Sequence, residues 1–157
     1  MKNLYLILLF VTGNIYCQNI SDIKNLDTIF VYFKENSLQV KTVLPANNKG
    51  FRRWYIIKFE EKNTLEYLQF WVSDYPSSER REMGIKSDYR LVKKSYLRRN
   101  KKKTISVDFF KKYGVFNSTY EAFRECKVIY IIDKSEAKNR RIPIYEVSIS
   151  SSFIMGE

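Results

Sequence analysis

The residues of this chain best suited to chemistry are basic and crowded together. Between positions 80 and 103 stand eleven lysines and arginines against only two acids, Glu82 and Asp88. Ammonium and guanidinium groups neutralise phosphates and displace their counterions, and a tyrosine beside them can stack on a base or sugar. The candidates to bind a polyanion are Arg80, Arg81, Lys93 and Lys94, then Arg98 and Arg99, then the Lys101, Lys102, Lys103 run, with Tyr89 and Tyr96 interleaved. Lys86 and Arg90 complete the eleven. Nucleic acid, lipopolysaccharide, a cell-wall polymer or an anionic membrane surface would each suit such a stretch. The plainer account is that these charges keep a turn and a strand edge solvated and unaggregated.

Other chemistries find less support. The chain has no histidine, which removes Ser–His and Cys–His nucleophilic pairs and imidazole metal ligation. Carboxylates alone can do acid–base work, and Glu60, Glu61, Asp74, Glu79, Asp88, Asp108 and Asp133 lie near expected loops. Their spacing singles none of them out, so ordinary surface carboxylates are the plain reading. No alternating acidic run makes a calcium loop, and Gly84 and Gly114 stand too isolated to cradle a phosphate. Neither cofactor nor metal is expected. Trp54, Tyr55, Phe70, Trp71 and Tyr75 form an aromatic cluster that could meet a sugar or a protein, but in a small domain such residues mostly build the core. Strand alternation sets Trp54 and Tyr55 on opposite faces, which leaves one of them directed outward.

The setting for this chemistry is read from the N-terminus. Lys2 precedes an unbroken apolar run at residues 4–11, closed by Thr12, Gly13 and Asn14. A secretory h-region needs about 7–15 apolar residues, and a membrane span about 20. Residues 1–17 therefore read as a cleavable signal peptide, with the cut between Cys17 and Gln18. Lipid attachment at Cys17 is the alternative, opposed by the bulk of Ile15 and Tyr16 just before it. The product, residues 18–157, is expected to be one small basic domain, exported to the periplasm or secreted. The lysine-, asparagine- and isoleucine-rich composition has a bacterial look.

Loss of Lys2 leaves 27 basic residues against 17 acidic, a net charge of +10, of which +9 lies in residues 80–103. Loss of Cys17 leaves Cys126 alone, so no intramolecular disulfide forms. Cys126 closes an apolar helical pattern and reads as a small buried hydrophobe. Hydrophobic residues at 45% and aromatics at 16% suffice for a packed core.

Several elements must position these side chains. Residues 19–26 read as a polar lead-in with one helical turn. Strands are expected at 28–33, 37–44, 53–60, 65–73, 88–97, 127–133 and 142–150, with 53–60 and 65–73 paired as a hairpin. Two short helices interrupt them. One runs over 107–113 between a Ser106 cap and a Gly114 stop, and a second is capped at Asn117 or Ser118 with Glu121 closing a capping box. The continuous apolar core of the segment 127–133 predicts a central strand buried on both faces. The fold class is α+β: a mainly antiparallel sheet of about five to seven strands, with two short helices before the last two strands.

Taken together, the residues predict an exported, non-enzymatic envelope protein that offers a basic surface to an anionic partner. The alternatives are a small secreted hydrolase working through carboxylates, and a module whose aromatic hairpin meets a protein while its charge is incidental.

Overall fold

The structure, a computed structural model, describes residues 18–45, 51–61, 64–73 and 89–155. β-Branched and aromatic runs become strands at or near the expected places. These are β1 (Thr28–Phe33), β2 (Gln39–Pro45), β3 (Phe51–Glu61) and β4 (Thr64–Ser73), then β5 (Tyr89–Lys93), β6 (Thr104–Ile105), β7 (Val128–Asp133) and β8 (Arg141–Met155). Their order is β2-β3-β4-β8-β7-β1-β6, with β5 also paired to β8. The fold is α+β and the sheet mostly antiparallel, as expected. It is mixed because β1 runs parallel to both β6 and β7. The eighth strand is β6, whose two residues are too few for a sequence pattern to reveal.

The helices are short: α1 (Ile20–Ile23), α2 (Lys94–Arg99), α3 (Val107–Tyr113) and α4 (Val115–Asn117). α3 follows its local code closely. The Ser106 Oγ accepts from the Asp108 amide at 3.2 Å, and Gly114 ends the helix at φ 75°, ψ 163°. That backbone region is open almost only to glycine.

Two expectations need correction. The strand expected over 88–97 is split, because β5 stops at Lys93 and α2 begins at Lys94. Leu, Lys and Arg favour helix, and the turn brings Tyr96 and Leu97 against a second apolar cluster. The second helix starts directly after Gly114 and passes into a wide π turn at Ser118–Ala122, so Ser118 does not cap it. Ser118 is fully buried, and its Oγ has no hydrogen-bond partner among the described residues. The wide turn delivers Ala122 and Phe123 to the core.

Sheet curvature brings distant strands together. β2 and β7 are four strands apart, which in a flat sheet would be about 19 Å. Yet Lys41 of β2 reaches Asp133 of β7 at 3.0 Å, and the Phe33 and Tyr55 rings meet edge to face at 4.8 Å. The sheet must therefore curl, with Tyr55, Phe70, Val31, Ile131 and Val147 on its inner face under the helical segment of Phe109, Phe110 and Phe123. β1, β7 and β8 also bury their outer faces. Phe30, Ile132, Ile142, Ile144 and Val92 form a second cluster, against which Tyr96 and Leu97 of α2 pack. β7 is thus a central strand covered on both sides.

Candidate functional site

The basic face is built by the junction of β5 and α2. Lys93 and Lys94 stand at that junction, Arg98 and Arg99 end the helix, and Lys101, Lys102 and Lys103 form the single 3-10 turn that follows. All seven side chains are exposed. The Gln18 amide Nε2 donates to the backbone carbonyls of Lys101 and Lys102 at 3.1 and 2.8 Å, which ties the lysine turn to the segment before α1. Arg80 and Arg81 lie outside the described residues, as do Lys86 and Asp88.

Only part of this basic set converges. Residues four apart share a helix face, which puts Lys94 and Arg98 side by side. With Lys101 they line an open groove of about 400 Å³. Lys134, in the turn after β7, also lines it and holds its Nζ 4.4 Å above the Tyr32 ring. The floor is aliphatic: Leu97, Ile132 and Ile142. Lys93, Arg99, Lys102 and Lys103 are exposed but do not line the groove. Lys93 instead stands opposite Arg141 in the β5–β8 pair, which extends the positive surface toward β8. Sequence reasoning missed Lys134, for which the only signal was a charged loop before the last strand.

The interleaved tyrosines are already engaged. The Tyr96 ring takes the Phe30 edge at 6.1 Å, and its hydroxyl accepts from Arg90 at 3.1 Å. The Arg90 guanidinium lies over the Tyr96 ring at 5.5 Å and the Tyr130 ring at 4.9 Å. Tyr130 in turn stacks on Phe30 at 5.4 Å. The side chain of Tyr89 lies outside the described residues.

A second polar assembly joins β2 and β3 to the end of β7 and the turn after it. Asp133, fully buried, accepts from Lys41 Nζ at 3.0 Å and the Tyr55 hydroxyl at 3.2 Å on Oδ2. Its Oδ1 accepts from the Ser135 amide at 2.9 Å and the Ser135 hydroxyl at 2.5 Å. Glu136 Oε1 receives Lys41 at 3.0 Å and Arg53 at 2.6 Å, and its Oε2 receives the Tyr145 hydroxyl. Arg53 also lies over the Tyr145 ring at 4.9 Å. Two cations thus meet two carboxylates, and the set is neutral. Of these residues, only Asp133 was among the carboxylates weighed from sequence.

Burial opposes charge at Lys41, Arg53 and Glu136, and there the partners decide the outcome. At Glu136 burial alone would raise the pKa, but bonds from Tyr145, Lys41 and Arg53 hold it below its ordinary 4.5. At Lys41 burial is likewise outweighed by Asp133 and Glu136, so its pKa is raised from 10.5. Burial pushes both tyrosines up, with Asp133 adding to it at Tyr55 and the bond to Glu136 at Tyr145. An unfolded Glu136 takes up its proton near 4.5 while the folded one still resists, so stability falls as pH falls through that window. Urea midpoints measured from pH 6 to pH 3 should therefore drop, and Glu136→Gln should flatten the drop. An unchanged acid slope in that variant would show that Glu136 does not carry it.

The remaining candidates are placed as follows. Tyr55 and Phe70 are core, whereas Trp71 is exposed and Trp54 half-buried as cross-strand neighbours on the outer face. Tyr75 lies outside the described residues. Cys126 is half-buried with its thiol 3.2 Å from the Val128 carbonyl oxygen, and burial raises its pKa, which fits a packing residue. A cleft of about 560 Å³ lies between the β3–β4 hairpin and the turn around Gly114, bordered by Phe110, Phe59 and Phe116. Among the described residues, no cluster of three cysteines or carboxylates could hold a metal ion, and no helix is long and apolar enough to cross a membrane. Comparison with protein-family models, with curated proteins and with solved structures finds no match, so the geometry alone bears on function.

Proposed function

We propose that the chain is an exported, non-enzymatic binding module of the cell envelope that presents the Lys93–Lys103 surface to an anionic partner. The observation that supports this reading is the convergence of Lys94, Arg98, Lys101 and Lys134 on one groove. Charges needed only for solubility have no reason to ring a concave surface. Export rests on residues 1–17 and remains part of the proposal.

The carboxylate hydrolase is the second reading, and the meeting of Asp133 and Glu136 is what favours it. A general acid needs a raised pKa, and Glu136 is held low by three donors. Both carboxylates are committed to cations, and neither lines the groove or the cleft. Their geometry suits a brace better than a reacting pair.

The test uses a generic polyanion. Heparin affinity should fall about a hundredfold between 50 and 200 mM salt if the four groove cations each displace a counterion. Lys94→Glu with Arg98→Glu should abolish binding at either salt, while circular dichroism stays unchanged because both side chains are exposed. Salt-independent binding, or full binding by the double variant, would sink the reading.

A further inference from the structure

Resting on that reading of the basic face, we infer that the groove takes a phosphate-bearing lipid, its headgroup among the four cations and its acyl chain along the aliphatic floor. Three observations lead there. First, charge: Lys94, Arg98, Lys101 and Lys134 line one groove and make an anion site by complementarity. Second, the floor between them is hydrocarbon. Leu97 is half-buried, with Ile132 and Ile142 beneath it. Ile132 and Ile142 are already buried, so a bare phosphate or a sugar polymer would leave the open part of Leu97 uncovered, whereas each methylene of a chain laid on it and taken out of water gains about fourfold in affinity.

Third, the face lacks what single-stranded nucleic acid needs. Bases are held by stacking on open aromatic faces. Here Lys134 sits on the Tyr32 ring, while Tyr96 and Tyr130 are engaged by Phe30 and Arg90. Among the described side chains of this face, the aromatic rings are spent within the protein. A volume of about 400 Å³ admits a headgroup and the first part of a chain, and it falls within the usual range of ligand pockets.

The test is titration of the full mature chain with dodecyl phosphate below its critical micelle concentration. Inorganic phosphate, dodecyl maltoside and heparin are the comparison arms. Dodecyl phosphate should bind at least tenfold tighter than either inorganic phosphate or the uncharged maltoside. Leu97→Asn should erase most of the advantage over inorganic phosphate, and Lys94→Glu with Arg98→Glu the advantage over the maltoside. Equal affinity for inorganic phosphate, or for the maltoside, overturns the inference. Heparin binding without dodecyl phosphate binding overturns it too but leaves the basic-surface reading standing. Failure to bind either probe removes both.

Discussion

Asp133→Ala is expected to cost about 3–5 kcal/mol, the usual penalty for removing one member of a buried ion pair. Domains of this size are stable by roughly 5–15 kcal/mol, so the variant loses a large share of its margin. The reason is what remains behind. Asp133 is fully buried and satisfies four donors, from Lys41, Tyr55 and twice from Ser135. Without it, Lys41 keeps Glu136 as an anion, but the buried Tyr55 hydroxyl loses its acceptor. Glu136 alone then no longer balances Lys41 and Arg53. Urea unfolding of the variant measures the loss directly. A decrease below about 1 kcal/mol would mean that water already solvates this end of the core. Lys41→Met in the Asp133→Asn background should cost less than the two single changes added together, since paired charges removed together leave no orphan.

Phe110→Ala is expected to cost a similar 3–5 kcal/mol for a different reason. Its ring is fully buried and touches Phe59 of β3 at 6.2 Å, Phe109 at 5.9 Å and Phe123 at 6.1 Å. It therefore links the hairpin to both parts of the helical cover. Truncation would open the cleft beside Gly114 further instead of leaving a sealed void. Phe116→Ala, six residues on, is the control. That ring is 61% exposed, so its loss should stay within about 0.5 kcal/mol. Thermal melts of the two variants side by side would check both values. Similar losses would mean that the helical segment, not the Phe110 contact, sets the stability.

What the sequence revealed and what it hid follow the range of the interactions. α3 was legible because its start and stop are local, a serine oxygen on one amide and a glycine at positive φ. β1 and β7 were legible from composition, since each holds five consecutive apolar or aromatic residues that have little choice but to pack. The break at Lys93 was not legible, because β-formers and helix-formers follow one another there without a proline, glycine or cap between them. Of the site, the basic run was plain, but its division into groove-lining and outward charges depends on helical phase and on Lys134. The Lys41–Asp133 assembly was hidden altogether. The bonds that β2 and β3 make to Asp133 and Glu136 join residues 78 to 95 positions apart and depend on the curl of the sheet. One faint sign existed: Lys41 shares its strand face with buried Gln39, and Arg53 shares one with Tyr55 and Ile57. A charge at an inward position asks for a partner.

The double coverage of β7 has a mechanical consequence. Ile132 and Asp133 are consecutive, so the first lies under the groove and the second clamps the polar brace. The next strand repeats the arrangement, with Ile142 and Ile144 on one side and Tyr145 on the other. The partition between the two sites is a single backbone thick, and each peptide unit in it is a rigid plane. A displacement of the β7 backbone at the clamp is therefore passed directly to Ile132 beside it. The basic groove and the buried ion pairs thus share one strand, and a change that displaces β7 bears on both.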